Sequence, residues 1–337
     1  MRAPRPTRAL PVAVAAVSIA ALATGCSTTS ASARSGGGSS LNLVAYSTPQ
    51  QAYSALIPQF TATAGGKGVS FRQSYGASGS QSRAVLAGQP ADVVEFSLEP
   101  DMSKLVDAGL VASDWNSGQY KGIVTDSVVV FVVRKGNPRH ITGWNDLVKP
   151  GIKVVTPNVF SSGSAKWNLM AAYGSQIKQG RTPAEALAFV KAVLKNTVAQ
   201  PESGSKATEA FVGGTGDVLI SYENEAIKAQ QGGADVDYVT PDQTILIENP
   251  IAVTKSAPAA AQQFVSFLYT DAAQKTFAKY GYRPVVTADL DKSRFPTPRQ
   301  LFTIDDLGGW STVNKQFFDP TNGSISKIEN ELGVSGG

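Results

Sequence analysis

Residues 127–133, Ser-Val-Val-Val-Phe-Val-Val, form an unbroken run of mostly β-branched side chains. Such a run predicts a strand that is covered on both faces, because a half-exposed strand would alternate apolar and polar residues. Outward from this run, strand-like and helix-like segments alternate along the chain. This βαβα order predicts an α/β fold built from doubly wound, mostly parallel sheets.

The flanking segments are short, and their ends carry recognisable signals. Thr182-Pro183-Ala184-Glu185 gives the clearest helix start, with Thr182 as N-cap and Glu185 returning in a capping box. The predicted strands are 41–45, 69–73, 92–94, 127–133, 153–156, 218–220 and 236–239, followed by an apolar run at 244–252. The predicted helices are 49–62, one beginning at 80–86, 163–173, one beginning at 182–185, 223–230, 258–268 and 271–280.

The first 25 residues are predicted to be a secretory signal rather than part of the fold. Arg2, Arg5 and Arg8 form a basic head, and residues 9–23 form a short apolar core. This core is too short for a good membrane-spanning helix. Small residues follow it directly before Cys26, as at a signal cleavage site.

Cys26 resembles the lipidated cysteine of a bacterial lipobox, although Ala23 stands where a leucine is usual. A diacylated cysteine carries enough methylene groups to hold a protein on a membrane. Residues 26–40 are therefore predicted to be a lipidated cysteine followed by a flexible tether, because Ser, Thr, Gly and Ala bury little apolar area.

Composition argues against several classes of protein. Signal cleavage would remove three arginines and no acid, so the formal charge would fall from +4 to about +1 and does not favour nucleic-acid binding. The chain has one cysteine and one histidine, His140, so we expect no disulfide, metal site or cofactor. Roughly 300 mature residues are more than a single hydrophobic core usually serves, which predicts two lobes.

Four Ser/Gly-rich segments lie where predicted strands lead into helices. Each would place unpaired N–H groups and partial positive charge at a helix N-terminus. One such segment alone is more often only an N-cap, but four in an exported, two-lobed chain predict a site for a tetrahedral oxyanion. The segments are 45–48 (AYST), 75–79 (YGASG), 161–164 (SSGS) and 202–205 (ESGS).

Longer motifs between about residues 41 and 318 carry a family resemblance. In chain order they are 134–138 (RKGNP), 144–151 (WNDLVKPG), 156–158 (TPN) leading into 161–163 (SSG), 167–168 (WN), 216–220 (GDVLI), 223–226 (ENEA), 282–284 (YRP) and 301–305 (LFTID). With these motifs the chain resembles the periplasmic sulfate-binding proteins of ABC transporters, which include thiosulfate binders. The resemblance implies a two-lobed type II periplasmic-binding-protein fold that closes on a dehydrated anion in the cleft. It also implies delivery of the anion to the permease subunits of an ABC importer.

The resemblance also implies a division of the chain. Lobe I comprises 41–124 and 244–285, and lobe II comprises 125–243. Residues 286–337 form a C-terminal tail that packs across the lobes.

The family holds its anion with backbone N–H groups, one serine hydroxyl and one indole N–H. Tyr222 occupies the indole position, either as a phenol donor or as a wall residue. The other donors carried over by motif are the N–H groups of Ser47 and Ser78 in lobe I, and the Ser162 hydroxyl with the N–H groups of Gly163, Ser164 and Ser205 in lobe II.

Three departures from the family pattern bear on the ligand. Ser47 replaces an aspartate, which is tolerated where only the N–H is used. Ser164 replaces a glycine and narrows the pocket, which counts against molybdate. Tyr222 replaces the indole, which leaves the choice between sulfate and thiosulfate open.

Proton counting separates sulfate from phosphate. Sulfate carries no proton at pH 7 and needs only donors, whereas phosphate usually carries one and needs an acceptor. Leaving that proton unpaired in a dry pocket costs about 1–3 kcal/mol. Glu202 is the only carboxylate in the four segments. We therefore expect phosphate to bind at least about tenfold more weakly than sulfate.

The rival classes are a cell-envelope hydrolase on the same two-lobed fold and a purely structural or adhesive lipoprotein. Ser203-Gly204-Ser205-Lys206 contains Ser-x-x-Lys, but the partner motifs of serine acyl-enzymes are absent from the sequence. Glu223 and Glu225 lie two residues apart, so they do not share a helix face, and we interpret them as structural residues. The sequence favours a monomeric, lipid-anchored binding protein that is not an enzyme. It would lie at the outer face of the cytoplasmic membrane or in the periplasm.

Overall fold

The computed structural model of the protein describes residues 39–286 and 291–334. The predicted signal sequence, Cys26 and the predicted tether as far as Gly38 lie outside the described residues. The first strand begins at Ser40, one residue earlier than the sequence predicted. Across 39–286 and 291–334, no helix has both the length and the apolar character needed to cross a membrane.

Strands and helices alternate along the described chain, as the sequence predicted. The strands are β1 Ser40–Tyr46, β2 Ser70–Gly76, β3 Val93–Glu95, β4 Ile123–Arg134, β5 Val154–Val155, β6 Thr197–Ala199, β7 Val218–Tyr222, β8 Val236–Val239, β9 Gln243–Val253, β10 Arg283–Pro284 and β11 Gln300–Phe302. The α-helices are α1 Gln50–Thr61, α2 Ser78–Leu86, α3 Glu99–Asp107, α4 Gly163–Lys178, α5 Pro183–Lys195, α6 Gly204–Val212, α7 Glu223–Gln231, α8 Ala259–Leu268, α9 Asp271–Lys279, α10 Gly309–Val313 and α11 Ser324–Glu331.

One sheet contains all eleven strands of the described residues, with the central order β2-β1-β3-β9-β4-β7-β5-β6. β1 pairs in parallel with β2 and β3, and β5 pairs in parallel with β6 and β7. The long strands β4 and β9 pair antiparallel with each other and connect these two parallel groups. The predicted α/β class is confirmed, while the predicted lobe boundaries stay a prediction.

This topology divides the described chain into two halves that two long strands connect. The first half comprises β1–β3 with α1–α3, α8 and α9. The second half comprises β5–β8 with α4–α7. The crossover strands are β4 and β9, which run between the halves.

The run 127–133 lies in β4 and is covered on both faces, which confirms the prediction from its composition. Val129, Phe131 and Val133 join the core cluster formed by α4, α5 and the C-terminal segment. Val128, Val130 and Val132 join the opposite cluster, against α6 and α7. Every residue of the run is at most 1% exposed. Successive side chains point to opposite faces of a strand, so helices must lie on both sides.

β1 shows the same alternation in the first half. Leu41, Leu43 and Ala45 pack with α1, α8 and α9 on one face of the sheet. Val44 packs on the other face, with the buried side chains of α2 and α3. Each half therefore has its own pair of helical layers around the shared sheet.

The helix start at Thr182 is formed as predicted. The Glu185 N–H donates to Thr182 Oγ1 at 3.3 Å, and the Thr182 N–H donates to Glu185 Oε2 at 2.8 Å. By contrast, the helices α3, α10 and α11 and the strands β6, β10 and β11 were not predicted. In α3 the only buried apolar side chains are Met102 and Leu105, which is too few to give a helical period.

The C-terminal segment 291–334 packs mainly on the second half. β11 pairs in parallel with the crossover strand β9. Trp310 meets Trp167 of α4 edge to face, with 4.6 Å between the ring centroids. The apolar side chains that join the core of α4 and α5 are Val313, Phe317, Phe318, Ile325 and Ile328.

A buried ion pair ties β10 to α7. Arg283 donates to Glu223 twice, from Nε to Oε2 at 2.7 Å and from Nη2 to Oε1 at 3.1 Å. Burial raises the pKa of Glu223, and the arginine opposes that rise. The two side chains are 7% and 1% exposed, so removing one leaves a buried, unpaired charge.

We expect Arg283→Met to lower the free energy of unfolding at pH 7 by about 3–5 kcal/mol, because it leaves the buried Glu223 carboxylate without its charge partner. Urea denaturation measures this loss. Adding Glu223→Gln to the same chain should recover part of it. Lys135→Ala is the control, since Lys135 forms an exposed ion pair with Asp237. A loss no larger than that of the control would contradict the stabilising role of the pair.

Candidate functional site

Two of the predicted donors lie just before or at helix starts in the first half. Ser47 follows β1 in the turn that leads to α1, and Ser78 is the first residue of α2. The Ser78 hydroxyl donates to Asp101 Oδ2 at 2.7 Å and accepts from the Ser97 N–H at 3.0 Å. The side chain is thus held within its own half, while the backbone N–H belongs to the unpaired first turn of α2.

The other loop donors lie at helix starts in the second half. Ser162 is the N-cap of α4, and Gly163 and Ser164 open its first turn. Ser205 lies in the first turn of α6, and its buried Oγ has no hydrogen-bond partner among the described residues. Ser162 and Ser164 are 3% and 5% exposed, so their polar groups face protein rather than bulk water.

The structure brings these four helix starts together across the two halves. The Ser205 N–H donates to Ser47 Oγ at 3.4 Å, and the Gly79 N–H donates to the Ser161 carbonyl at 3.0 Å. A Cβ added to Gly204 would lie 3.0 Å from Ser164 Oγ. These contacts join the starts of α1 and α2 to those of α4 and α6. The N–H groups at such starts carry partial positive charge, so their convergence suits an anion.

Tyr222 ends β7 and lies at the same junction. Its hydroxyl donates to Ser97 Oγ at 3.3 Å. Burial raises the pKa of Tyr222 well above its ordinary value, and hydrogen bonding with the side chains of Ser97, Ser164 and Asn249 opposes the rise. The phenol therefore keeps its proton at neutral pH and acts as a donor.

At the junction the sequence predictions missed Ser97, Asp101 and Asn249, and they named Trp167 only as part of the motif 167–168. Ser97 is fully buried, and its carbonyl accepts from Trp167 Nε1 at 2.6 Å and from Asn249 Nδ2 at 3.2 Å. Asp101 of α3 places a carboxylate beside Ser78, although none occurs in the loop 75–79 itself. The one sequence signal for Ser97 was its position three residues after the end of the buried strand predicted at 92–94.

The charged side chains near the loops make contacts of their own. Asp101 Oδ1 accepts from Lys104 Nζ at 3.0 Å, which balances the carboxylate charge. Burial lowers the pKa of Lys166 to about 8, and Asp101 opposes this shift. Lys166 Nζ donates to Asn314 Oδ1 at 3.0 Å, in the C-terminal segment. The contacts that join the four loops are thus made by backbone and hydroxyl groups.

A groove of about 340 Å³ lies beside the junction and is shared by both halves. Arg83 of α2 crosses it, donating from Nη1 to the Phe160 carbonyl at 3.4 Å. Its second-half wall includes Asn158, Ser161 and Glu202. Within the described ranges, no group of three or more His, Cys, Asp or Glu side chains is arranged to hold a metal ion.

Comparison with known proteins finds similarity over most of the chain. The family model described as a bacterial extracellular solute-binding protein matches residues 41–283. The sulfate-binding protein of Synechococcus elongatus is 41% identical over 86% of this chain and 86% of its own length. The thiosulfate-binding protein of Escherichia coli is 34% identical over 84% of this chain and 89% of its own length. Among solved structures, the sulfate-binding protein SubI from Mycobacterium tuberculosis H37Rv has a TM-score of 0.81 and 50% identity, covering 83% of this chain and 100% of that one.

The contact between Gly163 and the first half can be tested by adding one carbon atom. A Cβ on Gly163 would come within 2.5 Å of Leu98 Cδ2 and closer still to Ser97 Oγ. We expect Gly163→Ala to lower the free energy of unfolding by about 1–3 kcal/mol through overpacking. Gly143→Ala is the control, because an added Cβ there meets no atom within 4 Å. Urea denaturation curves that coincide for the two variants would contradict the close approach of the halves at this point.

Proposed function

This chain belongs to the bacterial extracellular solute-binding proteins, and we propose that it captures sulfate outside the cytoplasm for an ABC-type importer. The observation that carries the proposal is the convergence of four helix starts from both halves. Helix N-termini stabilise an anion through N–H groups and partial positive charge, without a lysine or arginine. The proposed role is binding without catalysis, in keeping with relatives that are named as binding proteins.

The proposed anion donors come from both halves, so the ligand would hold them together. The first half contributes the N–H groups of Ser47 and Ser78. The second half contributes the hydroxyl of Ser162 and the N–H groups of Gly163, Ser164 and Ser205. Binding would then favour approach of the halves, a change that an importer can recognise.

A donor-only site favours sulfate over phosphate. The Asp101 carboxylate lies beside Ser78 and is engaged within its own half, where it accepts from the Ser78 hydroxyl and from Lys104. A proton on phosphate would therefore lack an acceptor, and an unmet hydrogen bond in a dry site is the source of the discrimination. Sulfate brings no proton and avoids this cost.

Relatives support sulfate ahead of thiosulfate, because the sulfate-binding relatives share 41% and 50% identity with this chain and the thiosulfate-binding one shares 34%. The Ser164 side chain, 3.0 Å from the Cβ position of Gly204, supports a small anion rather than the larger molybdate.

We propose that the mature chain is exported and held at the outer face of the cytoplasmic membrane through Cys26. The basic head, the apolar core at 9–23 and the small residues before Cys26 support this location. A tether that ends before Ser40, the first residue of β1, would then keep a monomeric receptor near the permease subunits of its importer. Two acyl chains on one cysteine suffice for stable anchoring.

Titration calorimetry of the mature protein at pH 7 tests the proposed ligand. We expect one sulfate per chain and an affinity for phosphate that is at least about tenfold weaker, because the phosphate proton finds no acceptor. Thiosulfate and molybdate are the comparison ligands. Equal affinities for sulfate and phosphate would contradict the donor-only site, and heat with none of the four anions would contradict the oxyanion role.

Mass spectrometry of the protein purified from membranes tests the anchor. We expect the mature N-terminus to be a diacylated Cys26, and Cys26→Ser to release the protein into the soluble fraction. Ser27→Ala should leave the chain on the membrane. An unmodified N-terminus on the wild-type chain would overturn the anchor and leave the binding proposal standing.

A further inference from the structure

Ser97 forms hydrogen bonds through its backbone and its side chain at the junction of the two halves. It follows β3 and is 0% exposed. Its N–H donates to Ser78 Oγ at 3.0 Å, and its carbonyl accepts from Trp167 at 2.6 Å and from Asn249 at 3.2 Å. Its hydroxyl oxygen accepts from Tyr222 at 3.3 Å. All three of its polar groups are therefore in use.

The partners of Ser97 come from three separate parts of the fold. Ser78 opens α2 of the first half, whereas Trp167 and Tyr222 belong to α4 and β7 of the second half. Asn249 lies on the crossover strand β9. One buried residue thus links both halves and the strand that runs between them.

Gly163 shows how closely the second half approaches Ser97. The first turn of α4 leaves no room for a Cβ between Gly163 and the Ser97 hydroxyl. Ser97 therefore abuts the helix start that supplies three of the proposed anion donors. A shift of Ser97 would move α4 relative to α2.

Tyr222 has one hydroxyl proton, and the geometry directs it to Ser97 Oγ. We propose that Ser97 is a positioning residue for anion capture, and that Tyr222 acts through Ser97 rather than by donating to the anion. The inference rests on the proposed function, since it concerns the same site. Ser97 in turn fixes the Ser78 side chain, whose proton goes to Asp101, so the α2 start is held in place for its N–H to meet the anion.

Trp167 connects Ser97 to α4 and provides a fluorescence signal for movement of the two halves. Its indole N–H donates to the Ser97 carbonyl, and Trp310 packs edge to face against its ring at 4.6 Å. Trp310 therefore holds the indole ring in place while the indole N–H bonds to Ser97 of the first half. Movement of the halves on ligand release should change the fluorescence of this pair.

A double-mutant cycle tests the inference on the full-length mature protein. Ser97→Ala removes the acceptor for Tyr222, and Tyr222→Phe removes only the hydroxyl. We expect each single variant to weaken sulfate binding about three- to tenfold, the scale of one net hydrogen bond, mainly through faster dissociation. In the Ser97→Ala background, Tyr222→Phe should cause no further loss. Calorimetry gives Kd, and stopped-flow tryptophan fluorescence gives the dissociation rate.

Two control variants in α4 remove the same kinds of atoms away from Ser97. Ser175→Ala deletes a buried hydroxyl that donates to the Ala172 carbonyl at 2.7 Å, and Tyr173→Phe deletes the hydroxyl of a tyrosine that is 8% exposed. Both should bind sulfate as the wild type does. Losses in the controls that equal those of Ser97→Ala and Tyr222→Phe would show that the effect is not local to Ser97, which overturns the inference.

The outcomes separate the inference from the proposed function. Losses that multiply in the double variant would mean that Tyr222 donates to the anion itself, which overturns the role of Ser97 and leaves sulfate capture intact. Absence of sulfate binding by the wild type would overturn both. Should Ser97→Ala fail to fold, Ser97→Cys replaces it in the cycle, because a thiol occupies the place of the hydroxyl and accepts only weakly from Tyr222.

Discussion

The structure depends on backbone N–H groups that helices cannot satisfy for themselves. The first turns of α2, α4 and α6 each leave N–H donors without a carbonyl partner in their own helix. The fold buries these starts at one junction, where Ser78, Ser162 and Ser164 are 2%, 3% and 5% exposed. Buried donors need acceptors, and a proton-free oxyanion accepts from many donors at once without bringing a donor of its own. The chemistry of the proposed ligand follows from this requirement.

The sheet explains why the helix starts meet. Its parallel strands end toward the loops that precede the helices, and ligands in α/β folds lie beyond those strand ends. β4 and β9 pair antiparallel through the middle of the sheet, so the two halves share one continuous set of backbone hydrogen bonds. β3 pairs with β9, and the residue after it, Phe96, donates to the Pro250 carbonyl at 3.0 Å. Ser97 comes next and therefore stands where the first half, the second half and a crossover strand adjoin.

Local patterns in the sequence were sufficient for the parts of the fold that local physics controls. The run 127–133 predicted a strand that is covered on both faces, and Thr182 with Glu185 predicted a capped helix. The serine and glycine residues at helix starts indicated loops that the structure brings together, while their role as anion donors stays a prediction. The contacts of Ser97 with Trp167 and Asn249 join residues 70 and 152 positions apart, and no local spacing encodes them. The same limit hid the contact between Asp101 and Ser78, and a phenol at position 222 did not reveal that its partner is a serine from the other half.

A crystal structure of the mature protein grown with sulfate would test the central claim most directly, because it places the anion relative to each donor. The account predicts one sulfate at the junction, within hydrogen-bonding distance of the N–H groups of Ser47, Ser78, Gly163, Ser164 and Ser205 and of the Ser162 hydroxyl. No lysine or arginine side chain should contact it. A sulfate bound instead through Arg83 in the neighbouring groove, or through other cationic side chains away from the helix starts, would contradict the account.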